Sequence, residues 1–253
     1  MTLADLIALP AVAAAAALAQ TRATPVVLVG GAVRDALLEA QPADFDFAVQ
    51  GDAIGLARQT ANTLGGDFYV MDAERGVARV LLSAALGRPR QVLDFVRCRG
   101  TSWLADLQDR DFTINAIACD PRTGELIDPL NGGGDLAARV LRAVGPSSVS
   151  DDPVRAIRGV RLAHQFALSY ESATWQAIAA IGERIRGPSA ERVRDALMDL
   201  LGLAQASAAV EDLWRAGVLG HVLPELTPLA GLTQSAPHTL DVLTHTFCVL
   251  RAL

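Results

Sequence analysis

The chain has 253 residues, half of them apolar, and a formal net charge of −6. That balance belongs to a folded protein with room for about two domains and excludes a disordered chain. It also excludes a global basic field that would draw in nucleic acid, though not a local basic stripe. All 22 cationic side chains are Arg, which suits bidentate phosphate contacts and equally a coding bias. The three cysteines, Cys98, Cys119 and Cys248, form neither a disulfide framework nor a zinc spacing, and fit a reducing cytoplasm.

Residues 2–20 open the chain as an apolar, Ala-rich stretch. The run Leu9–Ala19 is too short to span a bilayer, and Asp5 stands where a signal peptide carries positive charge. A helix packed on the body is expected there, with a cleaved signal as the alternative. "PVVLVGG" is a β-branched run closed by glycines and reads as a strand; "AVRDALLEA" reads as a helix. "DFDFAV" alternates, with Asp44, Asp46 and Ala48 on one face and Phe45, Phe47 and Val49 on the other. "AIGLARQTANTLGG" has helical spacing and a terminal glycine pair, and "DFYVMD", "VARVLL" and "QVLDFV" are further strands. From about Ser150 the pattern turns helical: "DDPVRAIRGVRLAHQFAL", "ESATWQAIAAIGERI", "SAERVRDALMDLL" and "SAAVEDLWRAGVL", with Ser172, Ser189 and Ser207 near the helix starts. Strands first and helices afterwards predict an α+β chain, a mixed-sheet head followed by an all-α neck and body.

Three features carry chemistry. A strand, Gly30-Gly31 and a helix let backbone N–H groups meet a phosphate, and Arg34 on the first turn adds a charged contact; the same glycines also read as a plain turn. Asp44 and Asp46 project the same way from a strand, and two unpaired like charges side by side suggest a shared cation. Hard oxygen ligands suit Mg²⁺, two ions of which clamp the oxygens of a phosphoryl transfer. A solvated edge strand is the bland reading of an isolated D-x-D. Here Phe45 and Phe47 give the other face a core, and the glycine pair lies close by. Asp94, among Val92, Leu93 and Phe95, is either a third carboxylate or a polar strand end.

With these residues in view, the sequence resembles the class II tRNA nucleotidyltransferase and bacterial poly(A) polymerase family over about 26–215. "LVGGAVRD" with "DFD" resembles the family's first motif and "DLQDRDFTINAIA" its second. "IDPLNGGGDLAARVLRAVG" resembles the stretch that follows, "DDPVRAIRGVRLA" the nucleotide-reading motif and "SAERVRDALMDLL" a neck helix. The resemblance implies an enzyme with a nucleotidyltransferase-type head over 26–145 and a base-reading helical neck over 146–205. Residues 1–25 form the N-terminal helix and 206–253 a helical body. Asp44 and Asp46 would hold two Mg²⁺ ions, with Asp94 as the third acidic residue. Gly30, Gly31 and Arg34 would take the triphosphate, and Arg110, Asp111 and Asn115 would contact ribose and phosphate. Asp152 and Arg155 would hydrogen-bond the incoming base, and Arg158 and Arg161 would reach phosphates. On a continuous helix, Asp152, Arg155, Arg158 and Arg161 would line one drifting stripe; read without the resemblance, they are a solvated helix with an Asp cap. Arg184, Arg186, Arg192 and Arg194 form a cationic cluster that either tracks a tRNA backbone or is a solvated helix end.

The implied reaction is attack of an RNA 3′-hydroxyl on the α-phosphate of an NTP, releasing pyrophosphate, with the tRNA 3′ end and CTP, then ATP, as partners. No membrane contact and no stable protein partner are expected. Only "FVRCRGTSWLADLQD" separates Asp94 from Arg110, a shortened segment of the kind seen in CC-adding relatives. The preferred order is therefore CC-adding, then CCA-adding, then A-adding or poly(A) enzyme. Another NTP-transferring enzyme and a non-catalytic RNA-binding fragment are the alternatives from other classes. Asp109 stands where many relatives have Arg. "HTLDVLTHTFCVLRAL" resembles the opening helix of an HD phosphohydrolase domain with His245 as its first metal ligand. The rest of that site is lacking, so truncation and no hydrolase activity are expected.

Overall fold

In the computed structural model the N-terminal apolar stretch is two helices, α1 (Leu3–Ala8) and α2 (Pro10–Thr21), rather than one. Proline has no N–H to continue a helix but suits a first helical position, so Pro10 ends one helix and starts the next. Thr2 and Asp5 close the first with reciprocal capping bonds. The structure describes residues 1–42, 44–84, 90–100 and 102–252. Thr101 of the shortened segment and Leu253 of the HD-like stretch therefore lie outside the described residues. The chain divides into two units, Met1–Gly134 and Asp135–Leu253.

In the first unit β1 (Val26–Val29), α3 (Gly31–Leu37), β2 (Asp44–Val49), α4 (Ala53–Leu64), β3 (Asp67–Asp72), β4 (Val77–Leu82) and β5 (Gln91–Arg97) follow in order. Next come α5 (Trp103–Gln108), a 3₁₀ turn (Thr113–Asn115), β6 (Ala118–Cys119), β7 (Leu126–Ile127) and α6 (Gly132–Ala137), within which the division falls. The strands form one mixed sheet of order β3-β4-β5-β2-β1-β6-β7. Its β2–β5 pairing is parallel and the other pairings are antiparallel.

The two faces of this sheet differ as the alternation of β2 predicts. Phe45, Phe47 and Val49 pack with Leu93, Phe95, Ala78 and Val80 in a core shared with α1, α2 and α4. Phe47 stacks on Phe95 with ring centroids 4.8 Å apart. Burying such a ring contributes roughly 1.5–3 kcal/mol, so a register slip that turned the phenylalanines outward is strongly disfavoured. The same pleat fixes Asp44 and Asp46 on the opposite face. Cys119 on β6 is fully buried, and burial followed by the nearby Asp120 charge pushes its thiol up to about 11.

The second unit contains β8 (Val140–Leu141), α7 (Ser148–Asp151), α8 (Val154–Gln165), β9 (Ser169–Tyr170), α9 (Ser172–Ala179) and a 3₁₀ segment (Gly182–Arg186). It continues with α10 (Ala190–Leu201), α11 (Ala206–Arg215), α12 (Leu219–Val222), a 3₁₀ segment (Pro224–Leu229) and α13 (Val242–Ala252). It is not wholly helical: β8 and β9 pair in parallel, and Arg139 Nη1 donates to the Phe166 carbonyl at 2.8 Å just ahead of β9. The core gathers Ile157, Val160, Ile178, Ile185, Leu200, Leu213 and Val218.

A polar knot lies within this unit. Asp212, 4% exposed, accepts from Tyr170 Oη at 2.9 Å, from His164 Nε2 at 2.8 Å and from Arg215. Burial, then the Arg215 charge, holds His164 below its ordinary value, so the neutral ring places its proton on Nε2 to face the carboxylate. Burial raises the Tyr170 phenol, which keeps it a donor. The serines expected at helix starts are used differently. Glu171 rather than Ser172 caps α9, because its longer carboxylate reaches the Thr174 N–H at 2.8 Å. Ser189 precedes α10 without a side-chain cap bond, and Ser207 Oγ turns inward to the Phe247 carbonyl at 2.9 Å. Among the described residues no helix is long and apolar enough to cross a membrane.

Candidate active site

Strand β1 delivers the chain into Gly30, whose φ of +71° lies in the left-handed region that glycine adopts without steric cost. A Cβ there would stand 3.1 Å from Arg110 Nη1 and 3.5 Å from Asp46 Oδ2. The glycine therefore meets two demands, a backbone conformation and a close approach, and lets α3 begin beside the carboxylates. One turn in, Arg34 is 8% exposed. Its Nη1 donates to Asn115 Oδ1 at 2.6 Å, while Nε and Nη2 converge on Asp35 Oδ1 at 2.8 and 2.7 Å. Asn115 Nδ2 donates in turn to Asp111 Oδ1 at 3.0 Å, which also accepts the Phe112 N–H at 2.8 Å. Arg34, Asp111 and Asn115, drawn from two distant segments, are thus one connected network. Such networks fix side-chain directions before any ligand arrives.

Asp106, 4% exposed, is a residue the sequence reading missed. Its Oδ2 accepts from Arg110 Nη2 at 3.1 Å and its Oδ1 from the Arg99 N–H at 2.9 Å. Arg99 Nη1 also bonds Asp109 Oδ2 at 2.5 Å. Asp109 is therefore the partner of Arg99, which is bonded to the second half of α5 and to its C-cap. An acid four residues before an arginine on a helix is the sequence signal that points to Asp106.

The carboxylates line up across the sheet. Asp46 is the register partner of Asp94 on β5, and Asp94 is the partner of Arg79 on β4. Asp44 is exposed and Asp46 half-buried, on the same face of β2. The Asp94 carboxylate is gripped by Arg79, with Nε to Oδ1 and Nη2 to Oδ2 both at 2.7 Å. Arg79 was not singled out from the sequence. Its signal was an arginine at a central position of the apolar strand "VARVLL".

Among the described residues no group of three or more His, Cys, Asp or Glu side chains is arranged to hold a metal ion. What is present is two carboxylates side by side, a third turned to an arginine, and a Cβ-free approach at Gly30. Mg²⁺ keeps most of its waters and takes one or two carboxylates plus substrate phosphates, so this donor set fits it better than it fits an all-protein cage.

In the second unit, Pro153 changes what the helical stripe predicted. The residue before proline is kept out of the helical region. Asp152 is accordingly extended, with φ −138° and ψ 96°, between α7 and α8 instead of sharing a helix with Arg155. Its Oδ2 accepts from Arg192 Nη2 at 2.6 Å, while its Oδ1 is buried with no hydrogen-bond partner. Arg155 Nη1 donates to Ser148 Oγ at 3.0 Å, and Arg161 Nη1 to Gln165 Oε1 at 3.0 Å. Arg158 is exposed on the same helix. Of the cationic cluster, Arg184 donates to the Ser150 carbonyl at 2.8 Å and Arg186 to the His221 carbonyl at 3.2 Å. Arg192 joins Asp152, and Arg194 pairs with Asp195 at 2.7 Å. Each guanidinium has five N–H donors, so these bonds leave capacity for further acceptors. His238 and His245 meet edge to face, 5.7 Å between ring centroids.

A mixed sheet that presents aspartates beside a glycine turn, with helices after it, defines a nucleotidyltransferase-type fold. The comparisons with known proteins agree with it. Residues 26–142 match the family described as "Poly A polymerase head domain", and residues 168–229 match "Probable RNA and SrmB- binding site of polymerase A". The chain belongs to the class II tRNA nucleotidyltransferase and bacterial poly(A) polymerase family. It is 38% identical over 194 residues to the CC-adding tRNA nucleotidyltransferase of Geobacter sulfurreducens, covering 77% of this chain and 44% of that protein. Over 224 residues it is 40% identical to the A-adding tRNA nucleotidyltransferase of Deinococcus radiodurans, covering 86% and 49% respectively. The solved complex of a CCA-adding enzyme with CTP superposes with a TM-score of 0.72 at 29% identity, over 82% of this chain and 49% of that one. The chain spans about half the length of the curated relatives it matches.

Proposed function

We propose that this chain catalyses template-independent addition of C residues to the 3′ end of tRNA, building the CC of the CCA end from CTP with release of pyrophosphate. The observation that carries the reading is the row of Asp46 and Asp94 in register on the face of the sheet opposite Phe45 and Phe47, with Asp44 on the same face and Gly30 placed where an added Cβ would stand 3.5 Å from Asp46 Oδ2. Asp44 and Asp46 would hold Mg²⁺, which when bound neutralises phosphate charge and lowers the pKa of the attacking hydroxyl. The remaining work belongs to the chain's own residues. Gly30 and Gly31 let the triphosphate approach the backbone, and Arg34, fixed by Asn115 and Asp35, contributes its charge there. Arg110, oriented by Asp106, with Asp111 and Asn115, positions ribose and phosphate so that the hydroxyl meets the α-phosphate in line.

Asp152 and Arg155 would read the base. A buried carboxylate oxygen without a partner is costly, and the exocyclic amine of cytosine or adenine satisfies it. Arg155 supplies the complementary donors for a ring nitrogen or carbonyl. Arg158 and Arg161 would reach phosphates, and Arg184, Arg186 and Arg194 would follow the RNA backbone. Arg192 is the exception, since its role starts with orienting Asp152.

Two features favour CC addition over the other activities. The segment from Asp94 to Arg110 is short, and within it Arg99 bonds to Asp106 and Asp109. A segment so held has little freedom to reshape a pocket from CTP to ATP. The test is incubation of the full chain with Mg²⁺, each labelled NTP singly, and tRNAs ending at the discriminator base, after one C, or after both. The expected products carry C up to the second position and no A. Addition of A to a tRNA already ending in two C residues contradicts CC specificity, and no incorporation with any pair contradicts the enzyme reading.

A further inference from the structure

We propose that Arg79 is a positioning residue, a resident cation for the Asp94 carboxylate that keeps this acid oriented beside Asp46 and out of the divalent-metal shell. The inference deepens the proposed function and rests on its reading of Asp44 and Asp46 as the metal-holding pair.

Strand register sets the geometry. Val29, Asp46, Asp94, Arg79 and Tyr69 are successive cross-strand partners on β1, β2, β5, β4 and β3. Neighbouring strands lie about 4.8 Å apart and paired residues share a face. The Arg79 side chain therefore lies over the carboxylate row. It reaches Asp94 as a fork, two parallel bonds of 2.7 Å that use both carboxylate oxygens. Such a bidentate grip fixes the plane of the carboxylate as well as its charge. The Asp94 side chain is 18% exposed and that of Arg79 39%, so the pair is better shielded than an ordinary surface bridge. Asp94 raises the guanidinium pKa most, and the charges of Asp44 and Asp46 raise it further, which places Arg79 within electrostatic reach of all three acids.

Two consequences follow. The fork takes one lone pair of each Asp94 oxygen and neutralises the carboxylate's charge, so Asp94 competes weakly for a divalent ion and the pair on β2 holds the metal. The arginine also removes one of the row's three negative charges, which weakens the hold on free divalent ions. Substrate phosphates must then complete the metal shell, coupling metal retention to NTP binding.

The test is Mn²⁺ binding to the full chain without NTP, followed by the EPR signal of the free ion. Arg79→Gln and Arg79→Ala are expected to bind Mn²⁺ about tenfold more tightly than the unsubstituted chain, because Asp94 is freed and a positive charge removed. Arg79→Lys keeps the charge and is expected to fall between them and the unsubstituted chain. The direction is diagnostic: loss of a merely structural ion pair loosens the site and weakens binding. Unchanged or weaker binding in Arg79→Gln overturns the inference. A chain carrying both Asp44→Asn and Asp46→Asn is expected to lose the site. If it binds Mn²⁺ as the unsubstituted chain does, the metal reading of the acid pair has failed, and the role of Arg79 falls with it.

Discussion

Asp46→Asn is expected to lower C incorporation at least about 10³-fold, roughly 4 kcal/mol of barrier, while the melting temperature stays within about 2 °C. The separation of the two effects follows from the strand. Asp46 projects from one face of β2, and the packing that holds the strand is made by Phe45 and Phe47 on the other face. Asparagine has the same shape and keeps the register, but it lacks the charge that holds a divalent ion against a triphosphate. Single-turnover incorporation of labelled CTP beside a thermal melt reads both quantities. Wild-type turnover in this variant rejects a role for the acid pair. Loss of activity with a collapsed melt assigns Asp46 to folding instead.

Asp212→Ala is expected to have the largest effect on stability in the second unit, about 3 kcal/mol, lowering the melting temperature by about 10 °C. Three donors converge on that buried carboxylate, and two of them, Tyr170 Oη and His164 Nε2, belong to partly buried side chains. Removing the acceptor strands their donors away from water, and an unsatisfied buried donor costs about 1–3 kcal/mol. Arg215 is mostly exposed and recovers solvent, so it adds little. Denaturant unfolding of the variant checks the figure, and a loss below about 1 kcal/mol means that the knot is decorative.

How much of this was legible in the sequence depends on the range of the interaction. Strands β1 to β5 and the cores of the long helices of the second unit follow from local pattern and appear where it put them, whereas the two-residue strands β6 and β7 are too short to leave a periodic signal. The direction of Asp44 and Asp46 was equally readable, because two phenylalanines on alternate positions leave the acids one way to point. Asp152 was misplaced onto a helix because spacing was weighed above Pro153, whose restriction on the preceding residue decides the backbone there. The partners of Asp94 and Asp152 were not readable at all. Arg79 meets Asp94 only because β4 and β5 pair in one register, and Arg192 reaches Asp152 from a different helix. Nothing local in "VARVLL" or "SAERVRD" specifies those meetings. Asp109 shows the same limit from the other side. It read as a lost charge against its relatives and is instead half of an ion pair with Arg99.

The measurement that bears most directly on the account is a crystal structure of this chain soaked with CTP and Mn²⁺, using the anomalous signal of the metal. The account predicts Mn²⁺ at about 2.0–2.2 Å from oxygens of Asp44 and Asp46, a triphosphate lying against Gly30 and Gly31, and Asp94 still gripped by Arg79. Metal bound elsewhere, or a triphosphate seated away from the Gly30 turn with Asp44 and Asp46 bare, would contradict it.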